Sequence, residues 1–523
     1  MNKKSRTYNF AANLLWGVMF SFTTIIINFI VRIVIVNSLG EEINGLQSLF
    51  SNMINVMAII ETSASMAMII HLYKPVQDKE ENRIISIMSF YKKIYMFIAI
   101  SFAALCIVID VFFLENMLTS TISNKKIHLY FIMFSLSFVI NYITYYPKCL
   151  LYAEQKNRII SIVNLFSEMF FRCTQIVVVI LWKKYYLYLI LMILEKAFSN
   201  VLCYCYVRKY HPTIKEIKNN NLEKEEKKKI INSMKPIAVS QSSSAIYNSS
   251  KPILISLLLG NISIVGYYGN YQLIVSAVET LFSQFGAAFT SGFGNLISDE
   301  KEKKNAVNVY EKSLFSVGWI SILFCVGFFC CIQPFIKMSF GSSFVIASSC
   351  VFVIMINLFI TLISVPIISV QNAMGLHKID QYMMVLQSIV GIVLGYFGGV
   401  KFGMIGILSG SFLSYLLFTF IIKGCLVYSK AFAKSGKIYL FSAVKYTLYL
   451  LIVFAISAVL INYINLSNAF FQLIINGVVV VVSWLLSFVL LSYKSEHFKG
   501  IINLVNRVLR RKKNEKENSV CIK

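Results

Sequence analysis

Residues 12–36 read ANLLWGVMFSFTTIIINFIVRIVIV, and the chain continues through Leu39-Gly40-Glu41-Glu42-Ile43-Asn44-Gly45-Leu46. The first stretch holds 25 residues and a single charge, Arg32. A bilayer hydrocarbon core about 30 Å thick is crossed by about 20 apolar residues in helix, so this stretch is a membrane span. Lys3, Lys4 and Arg6 precede it. It is too long, and lacks a small-residue cleavage site, to be a signal peptide. We expect it to remain as a helix with its amino end inside.

Outward from this span, runs of the same kind recur at 45–71, 94–114, 127–147, 159–182, 185–207, 236–260, 264–292, 313–334, 345–372, 381–400, 403–422, 440–462 and 469–493, fourteen in all. The expected fold is all-α, a polytopic membrane protein. Composition agrees: of 523 residues 57% are hydrophobic and only 14% charged, whereas charged residues make up about a quarter of a soluble domain. The long connection from Arg208 to Lys235 has nine Lys/Arg and four Glu, and separates six spans from eight. The expected organisation is an N-terminal lobe at 1–207, a basic cytoplasmic linker at 208–235, a C-terminal lobe at 236–428, two further spans at 429–493 and a basic tail at 494–523.

Lys and Arg total 49 against 24 Asp and Glu, a formal +25. With the amino terminus cytoplasmic, 39 of the 49 fall on the inside, counting Lys445 with the loop before its span, and six on the outside: Lys125, Lys126, Lys183, Lys184, Lys337 and Lys401. That asymmetry over short loops is the positive-inside pattern. Both termini are therefore expected in the cytoplasm of a multi-pass cell-membrane protein. The basic surplus reports topology and contact with anionic lipid headgroups; it does not imply nucleic acid.

Eleven cysteines do not form a disulfide framework, because those such as Cys106, Cys203, Cys205, Cys325 and Cys350 sit inside apolar runs and read as buried small hydrophobes. The pairs Cys330-Cys331 and Cys203-x-Cys205 lack neighbouring His or Cys, and the five histidines are scattered. A structural zinc needs four clustered ligands, so no metal site is expected.

The chain repeats itself weakly. Leu39-Gly40 with Gly45 after the first span is echoed by Leu259-Gly260 with Gly266 after the seventh. Arg32 precedes Gly40 by eight residues and Lys251 precedes Gly260 by nine; Glu61 and Glu279 follow the second glycine of each copy. Two even-numbered sets of spans joined by a cytoplasmic loop are parallel repeats about an axis along the membrane normal, which leaves a cavity between lobes.

A charged side chain at the centre of a span costs about 2.5–3.5 kcal/mol on insertion scales and almost always faces protein or water. Arg32, Arg172, Lys196 and Lys251 are accordingly the candidate substrate-binding cations. Glu61, Glu168, Glu195 and Glu279 are the candidate cavity acids or ion-coupling groups. Glu168 and Arg172, four apart, share a helix face and can pair. Glu195 and Lys196, about 100° apart around the helix, cannot both address one neighbour. Asp110 and Arg32 lie nearer span ends, where snorkelling is an alternative. Lys251 ends the polar stretch Ser240-Gln241-Ser242-Ser243-Ser244 to Asn248-Ser249-Ser250-Lys251, a face expected to be wet. Gly391, Gly395, Gly399, Gly403, Gly406 and Gly410 repeat a small-x-x-x-small spacing, which suits close helix packing, or a hinge.

These residues resemble the Wzx-type polysaccharide flippases of the multidrug/oligosaccharidyl-lipid/polysaccharide exporter superfamily. The resemblance rests on Leu39 to Leu46, Glu61, the exit His71-Leu72-Tyr73-Lys74-Pro75, Val265-Gly266-Tyr267-Tyr268-Gly269-Asn270-Tyr271, Ser291-Gly292-Phe293-Gly294-Asn295-Leu296 and Gly403-Met404-Ile405-Gly406-Ile407 with Ser409 to Ser414. It implies two six-helix lobes around a central cavity, plus two C-terminal helices placed where they could serve a lipid tail. It further implies alternating-access movement of undecaprenyl-pyrophosphate-linked sugar units for capsule, O-antigen-like or teichoic-type polymers. Implied partners are the lipid-linked oligosaccharide, membrane lipids and other polysaccharide assembly proteins. The driving force is left among protons, sodium and membrane potential, with no cofactor. Where relatives commonly carry an acid, this chain has Lys251 in Ser250-Lys251-Pro252, so a cation-coupling role is not carried onto that position.

Arg and Lys supply charge-assisted hydrogen bonds to phosphate oxygens, which suits the pyrophosphate. A multidrug or organic-cation exporter of the same superfamily is the alternative, supported by the four central acids. A polysaccharide polymerase or glycosyltransferase is a third. Enzymes of that kind use acidic catalytic groups, and the longest outer loop, Glu115 to Lys126, holds one acid. The chain is therefore read as a carrier and not an enzyme; it has no phosphate-binding glycine loop, so ATP is not expected to drive transport on this chain.

Overall fold

The computed structural model describes residues 3–496 and 498, apart from 58, 113, 115–120, 155, 212–221, 223, 299–305, 465 and 467. Residues 212–221 and 223 of the basic linker and nearly all of the basic tail therefore lie outside the described residues. Helices follow one another as α1 Lys3–Leu39, α2 Glu41–Met57, α3 Ile59–Asp78, α4 Glu81–Phe112, α5 Asn124–Ala153, α6 Asn157–Trp182, α7 Tyr185–Tyr210, α8 Lys224–Leu259 and α9 Ile262–Ser298. Then come α10 Ala306–Ser339, α11 Ser348–Ile363, α12 Val365–Ala373, α13 His377–Phe402, α14 Met404–Ser414, a π-helical segment Tyr415–Lys423, α15 Gly424–Phe432, α16 Gly436–Asn462 and α17 Ala469–Ser492. Among the described residues there is no strand, and eleven helical stretches are long and apolar enough to cross a membrane. Among the described residues, every one of the fourteen runs read from the sequence lies on helix, apart from residues at its ends and Ser364, which separates α11 from α12.

Local chemistry explains the corners. Gly40 turns α1 into α2 at φ +93°, and Gly260 turns α8 into α9 at φ +63°, a region L side chains avoid. Asn261 then accepts the Ser263 N–H at 2.9 Å, occupying an otherwise orphan donor of the first turn. Gly403, at φ +62°, separates α13 from α14. Several helices outrun the expected apolar stretches: α4 begins at Glu81 and α8 at Lys224, and α5 runs through Pro147 to Ala153, carrying Lys148 into the helix.

The chain forms two compact units, Met1–Ala277 with Asp380–Tyr415, and Val278–Ile379 with Leu416–Lys523. In the first, α5 packs on α4 and α7, α1 on α6, and α8 on α2, α3 and α14. Its core includes Met88, Tyr91, Tyr95, Cys149, Leu150 and Cys203. The glycine series joins α13 and α14 backbone to backbone: a Cβ on Gly398 would stand 2.6 Å from the Gly406 carbonyl oxygen. Close packing is thus what the small-residue spacing produces. In the second unit α10 packs on α11, α16 and α17. The α17 side chains Asn476 and Trp484 donate to the Cys330 and Trp319 carbonyls at 2.6 and 2.8 Å.

Outward faces carry large apolar side chains such as Phe97, Phe112, Phe397 and Leu490. Hydrocarbon solvates such groups as well as a protein core does. The same rule corrects one cysteine: Cys106, Cys203, Cys325 and Cys350 are buried, but Cys205 is exposed, beside the exposed Val201 and Leu202 on the outer face of α7.

Candidate functional site

Tyr188 organises the intramembrane charges of the first unit. Lys183, in a left-handed turn at φ +50°, reverses the chain between α6 and α7 and brings Tyr185 and Tyr188 into a stack with centroids 5.6 Å apart. The Tyr188 hydroxyl accepts Arg172 Nη1 at 2.9 Å and Gln47 Nε2 at 3.1 Å. Gln175 donates to the Tyr188 carbonyl at 3.3 Å and accepts from Arg172 Nη1 at 3.1 Å.

Arg172 Nε faces two carboxylates, Glu168 Oε1 at 3.9 Å and Glu195 Oε2 at 3.7 Å. Glu168 and Arg172 do share one face, as their spacing predicts, and Glu168 is further held by Thr24 at 2.8 Å and Asn28 at 3.5 Å on α1. Glu195 meets the charge on the neighbouring helix, while Lys196 folds back onto its other oxygen at 3.0 Å. Lys196 is the accessible member, its side chain 37% exposed against 5% for Glu195. Four of the eight candidates therefore meet in one cluster.

Glu61 belongs to an adjoining cluster on α3. It is buried, its Oε1 makes no hydrogen bond, and it lies within electrostatic reach of Tyr95 and Lys148. Lys148 is only 6% exposed. It donates to Asn164 Oδ1 at 3.3 Å and Ser199 Oγ at 3.2 Å and lies 5.7 Å from the Tyr145 ring centroid. Lys148 is a functional candidate the sequence reading missed, because Pro147 was taken as the end of the span. The signal was present in the apolar Cys149-Leu150-Leu151 that follows.

Arg32 does not snorkel. Its Nε donates to Asn270 Oδ1 at 2.5 Å, and its Nη2 to Ser48 Oγ at 2.6 Å and the Gly266 carbonyl at 3.4 Å. Asn44 adds a bond to the same Asn270 oxygen at 3.3 Å. Arg32 thus stands where the two repeated corners meet. A Cβ on Gly266 would press on Asn44 and Gly45 at 2.9–3.2 Å, and one on Gly45 would strike the Ile262 carbonyl. Asp110 does not snorkel either; it is buried and takes His128 Nδ1 at 2.9 Å.

Lys251 is 6% exposed, with its ammonium 4.9 Å from the Tyr247 ring centroid, a cation–π distance. Tyr247 donates to the Ser411 carbonyl at 2.8 Å. Ser243, Ser249 and Ser250 are buried beside it, so much of the polar face expected to be wet is packed against protein, because α8 has helices α2, α3 and α14 around it. Glu279 is half-buried on α9 within the second unit.

Several solved structures share the fold. A lipid II flippase, MurJ, in an inward closed conformation superposes with a TM-score of 0.65 at 16% identity, covering 91% of this chain and 98% of that one. An inward-facing multidrug resistance MATE family transporter of the MOP superfamily gives 0.58 at 12% identity, covering 83% and 98%. A MOP superfamily transporter from Pyrococcus furiosus, described by the reverse polarity of its binding pocket, gives 0.54 at 10% identity, covering 84% and 95%. No curated protein matches the chain in sequence. The sequence model for polysaccharide biosynthesis proteins matches residues 10–290, more than half of the chain, and the protein belongs to that family.

Proposed function

We propose that the protein is a flippase that carries undecaprenyl-pyrophosphate-linked oligosaccharide across the cytoplasmic membrane by alternating access. The product would serve capsule, O-antigen-like or teichoic-type polymer export. The observation that carries this reading is the concentration of basic side chains from five helices in one apolar unit: Arg32, Lys148, Arg172, Lys196 and Lys251. Glu61, Glu168 and Glu195 answer three of those charges, which leaves a positive surplus suited to an anionic headgroup. An isolated charge at this depth costs several kcal/mol, so the surplus is retained for a purpose that stability alone does not supply.

In this reading Lys196 is the first contact for phosphate oxygens, since it is the accessible end of the cluster. Arg172, with its Nε outside hydrogen-bond distance of either carboxylate, can exchange a carboxylate for a phosphate without unfolding its surroundings. The test is translocation of a lipid-linked oligosaccharide in vesicles by the parent, Arg172→Ala and Lys251→Ala. Activity falls at least tenfold in both if each removes about 1.4 kcal/mol of headgroup binding; full activity in both overturns the assignment. Efflux of cationic dyes by the same vesicles would instead favour the exporter reading.

A further inference from the structure

We infer that Arg32, with Asn270, Ser48 and Asn44, forms an anion-released latch: the pyrophosphate of the carried lipid takes the Arg32 guanidinium away from Asn270 and frees α2 from α9. The inference rests on the flippase reading for the identity of the anion, and on three observations for the latch itself.

First, none of the hydrogen-bond partners of Arg32 is charged. Asn270 Oδ1, Ser48 Oγ and the Gly266 carbonyl are neutral acceptors; Arg172 in the same unit also hydrogen-bonds to neutral acceptors, Tyr188 and Gln175, but has two carboxylates within 4 Å as well. Hydrogen bonds to an ionised acceptor are roughly twice as strong as those to a neutral one. A phosphate oxygen therefore outcompetes the present partners of Arg32.

Second, the surface that the latch holds together is bare. α2 and α9 meet through Gly45 and Gly266, backbone against backbone, and Gly269 leaves the space that the guanidinium and Ser48 fill: a Cβ there would stand 2.5 Å from Arg32 Nη2 and 2.7 Å from Ser48 Oγ. Such a contact buries little side-chain area. What ties it is polar: the bonds of Arg32, from a third helix, together with the direct Asn44–Asn270 and Tyr267–Glu41 hydrogen bonds.

Third, the ties of Arg32 fall in both repeated corners: Ser48 lies three residues after Gly45, and its other acceptors are Gly266 itself and Asn270, four residues later. One guanidinium consequently reads both copies, and its departure loosens both at once. A ligand shifts a conformational equilibrium only by its differential affinity for the two states, and the competition for Arg32 supplies that difference.

The experiment uses the full chain carrying Ile262→Cys in lipid nanodiscs, where both faces are accessible. Ile262 is 2% exposed and lies against Gly45, so opening of α2 from α9 uncovers it. Labelling at position 262 by an impermeant maleimide is read by peptide mass spectrometry, with undecaprenyl pyrophosphate or uncharged undecaprenol added. Native mass spectrometry measures lipid binding separately. The pyrophosphate lipid should raise the labelling rate about tenfold, within the usual range for linked sites, and undecaprenol should not.

Asn270→Asp gives Arg32 a directly hydrogen-bonded ionic partner, over which phosphate no longer holds the advantage of charge, and should abolish the increase while labelling without lipid stays low. Gly269→Ala pushes the guanidinium off Ser48 and should raise labelling with no lipid present. Binding of the pyrophosphate lipid with no change at position 262, or an increase that survives Asn270→Asp, overturns the latch and leaves the flippase reading standing. Failure of the lipid to bind overturns both.

Discussion

Arg172 shows how a buried cation is kept charged inside a membrane. Its donors reach a phenol, an amide and two carboxylates drawn from α6 and α7. Removing one partner of a buried ion pair costs about 3–5 kcal/mol, because the other charge is left uncompensated. Arg172→Ala should therefore lower stability by that order, measured by thermal unfolding of the purified protein. Glu168→Gln added to it should recover part of the loss, since one orphaned carboxylate is then gone. Tyr188→Phe, which removes the hydroxyl between Arg172 and Gln47, should cost about 2 kcal/mol, the scale of a hydrogen bond to a charged group. If the double variant is no more stable than Arg172→Ala alone, the two carboxylates do not depend on the guanidinium. The charges themselves were legible in the sequence because a bilayer forbids them. Their partners were not: Tyr188, Gln47, Gln175 and Asn270 are unremarkable residue types, and only the packing of α2, α7 and α9 gives them roles. Lys148 was hidden for a different reason, since proline inside a helix and proline ending one look alike until the flanking residues are packed.

Helices here are positioned by what they lack as much as by what they carry. α13 and α14 approach until Gly398 and Gly406 touch through their backbones, and a Cβ on Gly410 would meet the Leu394 and Gly395 backbone at 2.5 Å. Gly406→Ala must spread these helices, and overpacking of this kind costs about 1–3 kcal/mol. Gly477 on α17 is the matched control: a Cβ there meets nothing within 4 Å. Gly477→Ala should be neutral, or stabilising by up to about 1 kcal/mol through helix propensity. The unfolding midpoint of Gly406→Ala should fall while that of Gly477→Ala holds or rises; a rise in both would show that the glycines act through helix propensity and not through contact. Spans were readable as apolar runs because hydropathy and length determine whether a segment crosses. The halt of α14 at Ser414 and the π-helical segment at Tyr415–Lys423 were not, because the residues there continue the same apolar pattern and nothing local marks the change of hydrogen-bond register.

At the scale of the whole chain, the distribution of charge makes a prediction about direction. α6 and α7 form a hairpin whose closed end is Lys183-Lys184. At its open end His211 Nε2 meets Glu154 Oε1 at 2.6 Å, and Lys156 meets the same carboxylate at 2.9 Å. The structure thus brings Lys156, Arg158, Arg208 and Lys209, which come from two separate loops, to one end of the first unit, and leaves the opposite end of this hairpin with two lysines. Orientation follows Lys and Arg near span ends, so the charges predict the His211 end in the cytoplasm and the Lys183 end outside. Alkaline phosphatase fused after Lys184 should be active, since it folds only outside, and fused after Lys209 it should be inactive. A green fluorescent protein fused after Lys434, between α15 and α16, should fluoresce. The opposite pattern would reverse the direction of the carrier as well as its topology, because the Gly40 and Gly260 corners stand at the same end of their helices as Lys183 does of α6 if the charges orient all of them alike. Under the proposed flippase function, corners on the outside would make the contact of Gly45 on Ile262 the closure of the outer path, and a lipid entering from the cytoplasmic leaflet would reach Arg172 and Lys196 before it could release Arg32. With them inside, the same latch would guard entry, and the anion would have to open the path it has yet to enter.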